Sequence, residues 1–237
     1  METRSPRVLV MLCTYNEREN LPLLIPEIFK SVPDADLLVI DDNSPDGTGK
    51  FVDELAAVDS RIHAIHRPGK LGLGTATTAG FQFAIDHQYD LLINLDADFS
   101  HPPRYLPQLL AAADQADVVI ASRYVPGGKM EGAGAARQLM SRSLNLYART
   151  VLGLTTLDNS GSFRCYRVSR LKQVDWSTAR ATGYAIEEEI LFRLKRSGAT
   201  LTEVPFTYEE RRHGQTKLHW KEAVSAGWVL LKLRLSS

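Results

Sequence analysis

Three short apolar runs each end in a polar cluster: Val8–Leu12 before Thr14-Tyr15-Asn16-Glu17, Leu37–Ile40 before Asp41-Asp42-Asn43-Ser44, and Leu91–Leu95 before Asp96-Ala97-Asp98. Short apolar runs bounded by turn formers read as buried strands. Helical spacing fills the gaps between them. Leu21, Leu24, Ile25 and Ile28 mark a helix over 16–31, with Pro22 tolerable near its start, and further helices are expected at 51–58, 75–88 and 104–113. Ile62–Ile65 and Val118–Ser122 add two more strands. Strands alternating with helices of this length specify an α/β fold, a mostly parallel sheet with helices on both faces. In such a sheet ligands bind outside the carboxyl ends of the strands, so the three polar clusters are expected to line one crevice.

Past Arg123 the pattern changes. Gly127, Gly128, Gly132 and Gly134 make 126–136 a loop, and Met140, Leu144, Tyr147 and Val151 then define an amphipathic helix over 139–152. A helix at 183–195, a strand at 201–208 and a helix from Trp220 to Leu235 follow, the last with Val224, Trp228, Leu231 and Leu235 on one face. Val229, Leu230 and Leu233 give it a second apolar face, so it suits either a membrane interface or packing on the sheet. The expected organisation is one domain over 1–218, with the loop and helix at 123–152 inserted, followed by a C-terminal helical segment at 219–237.

Net charge is zero over 237 residues, which argues against nucleic acid as a partner, but the charge is unevenly placed. Segment 123–149 carries a formal +4 and segment 211–237 a formal +5, a basic face for anionic partners on an acidic body. The two cysteines, Cys13 and Cys165, have no metal-like spacing and read as free thiols of a reducing compartment. The N-terminus lacks signal-peptide architecture, and no apolar stretch approaches the ~20 residues that span a bilayer. The expected location is cytoplasmic, soluble or peripheral on a membrane face.

Asp96 and Asp98 can both turn toward one hard cation if the chain bends at Ala97, with ligand phosphates completing the shell, as Mg²⁺ is usually held. A solvated acid pair in a turn fits a bare Asp-x-Asp equally well. Lys70-Leu-Gly-Leu-Gly-Thr75 opens a helix and could hold phosphate on backbone N–H groups, or its glycines could serve close packing. It is not a dinucleotide fingerprint, which excludes a nucleotide-dependent oxidoreductase. Arg211-Arg-His-Gly-Gln-Thr-Lys217 suits a diphosphate, with a solvated basic loop as the alternative.

Taken together, Thr14-Tyr-Asn-Glu-Arg-Glu-Asn-Leu-Pro22, Asp41-Asp-Asn-Ser-Pro-Asp-Gly-Thr-Gly49, Lys70-Leu-Gly-Leu-Gly-Thr-Ala76, Asp96-Ala-Asp-Phe-Ser-His-Pro-Pro103, Ser122-Arg-Tyr124 and the Arg211–Lys217 loop resemble the dolichol-phosphate mannose synthase group, inverting family 2 glycosyltransferases of GT-A fold. The chain looks like the short type without transmembrane helices. The resemblance implies that Tyr15, Glu17, Asp41 and Asp42 hold the nucleoside, with Cys13 at the base. It implies that Asp96 and Asp98, with Ser100, hold Mg²⁺ or Mn²⁺ against the donor diphosphate. Lys70, Arg211 and Lys217 would contact phosphates, and Arg123, Arg137 and Ser141 would receive the acceptor phosphate. The donor implied is a nucleotide sugar, GDP-mannose first, and the acceptor a polyprenyl phosphate at a membrane surface. Three departures stand out: Cys13 where the family has Pro, Ser160-Gly-Ser-Phe-Arg164 for Thr-Ser-Gly-Phe-Arg, and Gly183-Tyr-Ala-Ile-Glu-Glu-Glu189 for Gly-Tyr-Ala-Phe-Gln-x-Glu.

A phosphate acceptor is already ionised near neutrality, so no dedicated general base is expected. Catalysis then rests on Asp96, Asp98, Arg123, Arg211 and Lys217 bringing two anions together. The rival readings are a UDP-sugar donor (glucose or N-acetylhexosamine), another acceptor, or a nucleotide-sugar-binding scaffold without turnover.

Overall fold

The computed structural model describes residues 4–132, 134–179, 181, 183, 185–210 and 220–235. Strands β1 (Val8–Thr14), β2 (Asp36–Asp41), β3 (Ile62–His66), β4 (Leu91–Asp96), β5 (Val118–Ser122), β7 (Arg164–Arg167) and β8 (Leu201–Pro205) form a seven-stranded sheet in the order β3-β2-β1-β4-β7-β5-β8. All pairings are parallel except those of β7 with β4 and β5. Strands β6 (Lys129–Met130) and β9 (Thr207–Tyr208) make a small parallel pair apart from it.

Alternation along the strands decides which layer each side chain joins. Val10, Leu12, Leu37 and Val39 face α1 (Leu21–Ser31) and α4 (Leu106–Ala112) through Leu21, Leu24, Ile28 and Leu109. Leu9, Met11, Leu38 and Ile40 face the opposite core with α3 (Leu73–Asp86) and α7 (Ile186–Arg196), through Phe81, Ala84, Ile186 and Ile190. Helix α2 (Thr48–Ala56) joins the first layer through Val52. The short α6 (Val168–Leu171) joins the second, as do α5 (Ala135–Leu152) and α8 (Trp220–Leu235). The expected sheet with helices on both faces is thus present.

The differences from the sequence reading have physical causes. Helix α1 starts at Leu21 rather than Asn16, because Asn16 takes a left-handed φ of 62° that no α-helix continues. The expected strand 201–208 splits at Phe206: its first half pairs β5 and its last two residues pair β6. Strand β7 has no signature in the sequence, since four residues with an arginine at each end show no apolar period. Within α5 the buried residues are Asn145, Ala148 and Leu152, whereas Tyr147, on the apolar face read from the sequence, is exposed. On α8, Leu230 and Leu233 are buried while Trp228 and Leu235 are 63% and 78% exposed. Trp228 and Leu235 of the first apolar face therefore point outward, and Leu230 and Leu233 of the second pack on the domain.

The strand order turns at β1 and β4, which places a crevice at the carboxyl ends of β1, β2 and β4. Each loop there contains a non-glycine residue with left-handed backbone: Asn16, Asn43 and Phe99 (φ 67°). Asparagine tolerates that region, but an aromatic there costs ~1–3 kcal/mol. Burial of the Phe99 ring, 2% exposed, offsets that cost by ~1.5–3 kcal/mol. The bend at Asp96-Ala97-Asp98 is thereby fixed before any ligand arrives.

Candidate active site

The loops after β1 and β2 are stitched to each other. The Asn16, Glu17 and Arg18 N–H groups donate to Ser44 Oγ, Thr48 Oγ1 and Asp46 Oδ2 at 2.9, 3.0 and 3.0 Å. Asp41 is turned into this scaffold, accepting from Thr14 Oγ1 at 3.1 Å and from the Ser44 N–H and hydroxyl at 2.9 and 2.5 Å. Of the two adjacent acids, Asp41 holds the turn. Asp42, 8% exposed, pairs through Oδ1 with Arg67 Nη1 at 2.6 Å. Burial raises the Asp42 carboxyl above the usual carboxylate range, and the Arg67 charge works against that rise. Arg67, which belongs to none of the motifs, is 8% exposed and also donates to Thr75 Oγ1.

Tyr15 lies at the mouth, with Lys70 Nζ 4.5 Å from its ring centroid. The Glu17 carboxylate accepts from Asn20 Nδ2 at 2.6 Å. The glycines beside Lys70 meet two backbone constraints. Gly72 takes φ 96° before α3, and a Cβ on Gly74 would stand 2.3 Å from the Ala181 carbonyl oxygen. Cys13 sits among the acids: burial, then Asp96, Glu187 and Asp42, push its thiol up to about 12, so it is a neutral packing group.

At the end of β4, Asp98 is 5% exposed and its Oδ1 accepts from the Ser100 N–H at 3.0 Å. Asp96 is more open, and its Oδ1 accepts from Ser162 Oγ at 2.8 Å. The Asp96 N–H donates to His101 Nδ1 at 3.0 Å, and the His101 ring stacks on Phe163 at 5.0 Å. Burial lowers the His101 pKa against the pull of Asp96 and Asp98, so the neutral ring accepts at Nδ1 and carries its proton on Nε2. His101 and Ser162 position the acid loop, roles that only tertiary neighbours reveal. Ser100 Oγ is buried and has no hydrogen-bond partner among the described residues. Among the described residues no group of three or more His, Cys, Asp or Glu side chains could hold a metal alone.

On the other side of the crevice, Arg123 Nε and Nη2 form a fork on Asp158 at 2.7 and 2.6 Å, and the Arg123 N–H donates to the same carboxylate at 2.9 Å. Nη2 also reaches Ser160 Oγ at 3.1 Å, leaving Nη1 with no hydrogen bond among the described residues. Burial opposes charge on both partners, yet their mutual attraction holds Asp158 below the usual carboxylate range and raises Arg123. Arg123, Tyr124, Lys129, Glu131, Gln138 and Arg142 line a cavity of about 310 Å³. Ser141 Oγ accepts from Tyr124 Oη at 2.6 Å, and Arg137 Nη2 donates to Tyr208 Oη at 3.2 Å. Asn145 clasps α5 to the 159–160 turn: its Oδ1 accepts from the Asn159 and Ser160 N–H groups at 2.6 and 3.2 Å. Arg211 and Lys217 fall outside the described residues.

Behind the crevice Arg164, fully buried, pairs with Glu187 at 3.0 Å and donates to the Glu187 carbonyl at 2.8 Å. Neither Glu187 carboxylate oxygen lies in hydrogen-bond geometry with a donor among the described residues. Burial, opposed by Arg164, lifts Glu187 to about 7, and burial lifts Glu188 to about 8.

The family profile described as glycosyl transferase family 2 matches residues 9–175, spanning every one of these strand-end clusters. The chain belongs to glycosyl transferase family 2. Two curated members of this family are similar over most of their length. An undecaprenyl-phosphate mannosyltransferase of Micrococcus luteus is 44% identical over 90% of this chain and 87% of its own. A polyprenol monophosphomannose synthase of Mycolicibacterium smegmatis is 42% identical over 90% of this chain and 81% of its own. Among solved structures, glucosyl-3-phosphoglycerate synthase of Mycobacterium tuberculosis, crystallised with Mn²⁺, UDP and glucosyl-3-phosphoglycerate, superposes with a TM-score of 0.68 at 20% identity. That match covers 98% of this chain and 80% of the other, and it shows that the glycosyltransferase has the GT-A architecture expected from its motifs.

Proposed function

We propose that this family 2 glycosyltransferase moves mannose from GDP-mannose to a polyprenyl phosphate, with inversion at the sugar carbon. The carrying observation is the near full-length similarity to two proteins whose names specify mannose and a polyprenyl acceptor. The crevice supports it. The end of β1, Asp42 and Tyr15 would hold the nucleoside. Lys70, with Arg211 and Lys217 from beyond the described residues, would hold the diphosphate.

Asp96, Asp98 and Ser100 fit a hard divalent cation such as Mg²⁺ or Mn²⁺, because the set is all oxygen and Ser100 Oγ is a buried hydroxyl lacking a partner among the described residues. Bound there, the ion would neutralise the departing nucleoside diphosphate. Ser162 and His101 keep Asp96 facing that place. Arg123, oriented by Asp158, offers Nη1 to the acceptor phosphate, with Arg137 and Ser141 on the neighbouring helix. A phosphate oxygen of the acceptor attacks the anomeric carbon as the bond to the diphosphate breaks. That oxygen is already ionised, so no side chain need remove a proton.

Among the described residues no helix is long and apolar enough to cross a membrane. A lipid acceptor would bring the enzyme to a membrane surface, and our reading is a peripheral position on the cytoplasmic face, with residues 1–218 as the catalytic domain and the segment from 219 beside the bilayer. The test is a donor screen with a short polyprenyl phosphate and either Mg²⁺ or Mn²⁺. GDP-mannose should give the lipid phosphomannose. Turnover of UDP-glucose or UDP-N-acetylglucosamine with none of GDP-mannose overturns the assignment, and donor binding with no turnover of any donor overturns the enzymatic reading.

A further inference from the structure

Leu139, Arg142, Leu146 and Arg149 follow one another on α5 at spacings of three, four and three residues, which puts all four on one helix face. The two leucines are 68% and 62% exposed. Neither arginine makes a hydrogen bond or ion pair among the described residues. Tyr124, Arg142, Asn145, Leu146, Arg149 and Leu157 line a second, open groove of about 200 Å³. Its lining holds two cations and no carboxylate. Arg142 also lines the acceptor-side cavity, so the two spaces adjoin.

We propose that this groove between Arg142 and Arg149 seats the phosphodiester headgroup of an anionic membrane phospholipid, next to the lipid acceptor's own phosphate; the proposal rests on the peripheral-membrane reading above. Charge and apolarity together select that occupant. Two guanidinium forks without counter-ions among the described residues match a phosphodiester anion. The leucines that alternate with them gain nothing from a soluble phosphate but would be buried by acyl chains just below the headgroups. Long arginine side chains can lie along that boundary with their charge at headgroup level. Helix α8 extends the surface: Tyr147 Oη of α5 donates to the Gly227 carbonyl at 3.2 Å, and exposed Trp228 and Leu235 lie on the same helix as Lys232 and Arg234. Binding there fixes the crevice to the bilayer and adds no bond-making step.

The experiment is flotation of the full chain with vesicles of phosphatidylcholine alone and of phosphatidylcholine with phosphatidylglycerol, alongside turnover of a short soluble polyprenyl phosphate. Wild type should favour the phosphatidylglycerol vesicles. Arg149→Gln should bind them about fivefold more weakly, the ~1 kcal/mol of one basic residue at an anionic surface, with soluble-acceptor turnover unchanged. Arg149→Lys should retain most of the binding, and inorganic phosphate at matched ionic strength should not displace the protein. Equal wild-type binding to both vesicle types refutes the headgroup site but leaves the peripheral reading standing. Absence of binding to any vesicle refutes both. Arg149→Gln binding like wild type, or displacement by inorganic phosphate, also refutes the site, the latter by making it one for free phosphate. A variant that fails to turn over the soluble acceptor is replaced by Leu146→Ser, for which weaker binding to both vesicle types is expected and unchanged binding overturns the proposal.

Discussion

Asp158→Asn tests the idea that a buried carboxylate, remote in sequence, holds the acceptor-side arginine in place. The carboxylate is fully buried and the Arg123 side chain is 12% exposed, and three hydrogen bonds at 2.6–2.9 Å join them. Removing one charge of a buried pair costs ~3–5 kcal/mol, because the other charge stays desolvated without its partner. Arg123 keeps Ser160 and some contact with solvent, so the lower end, ~3 kcal/mol, applies. For a chain of this size that lowers the melting temperature by roughly 6–12 °C. Asp158 is held below the usual carboxylate range by Arg123, so its contribution is present above the unfolded value of about 3.9 and is lost only as pH falls through the lower folded value. The penalty should therefore be level between about pH 5 and 8. Thermal melts of Asp158→Asn, Arg123→Gln and the double variant give the coupling, and steady-state kinetics should show a raised acceptor KM with donor affinity retained. A loss under about 2 °C with unchanged acceptor KM would show that the pair does not position Arg123.

Three further outcomes follow from other parts of the site. Asp98→Asn should reduce turnover by about 100-fold or more across a Mn²⁺ titration, since a metal's charge stabilisation is worth several kcal/mol; near-normal turnover sinks the metal assignment. Gly74→Ala drives a Cβ to within 2.3 Å of the Ala181 carbonyl oxygen. It should destabilise by ~1–3 kcal/mol in urea melts, and an unchanged midpoint would show that α3 is free to shift. Glu188 is lifted to about 8 by burial, above its unfolded value of 4.5. The folded state thus binds more protons through that window, and stability falls as pH rises from 4.5 toward 8. Glu188→Gln removes that slope, so the variant should gain on wild type by ~1–3 kcal/mol across the window, whereas a pH-independent difference refutes the buried, protonated Glu188.

Much of this protein is written locally in the chain. Five consecutive parallel strands, the helices between them and the convergence of Tyr15, Asp42 and Asp96-Ala97-Asp98 on one crevice follow from apolar period and turn chemistry, which act over neighbouring residues. What sequence could not supply depends on partners far apart in the chain. Arg164–Arg167 becomes a central strand only because β4 and β5 flank it and Glu187 and Asp117 accept its arginines. Asp41 and Asp42 are adjacent and chemically alike, yet one is spent on Ser44 and Thr14 and the other on Arg67. The glycines at 72 and 74 look like a phosphate loop, and only the packed structure shows that they also serve a backbone turn and a helix pressed against Ala181. The outward face of α8 was settled by which leucines the domain could cover, Leu230 and Leu233, since both faces are apolar enough to be buried. Local pattern fixes element type and sheet edge, but the protonation, orientation and freedom of each polar group depend on desolvation and on the charges packed around it, and tertiary structure alone sets those.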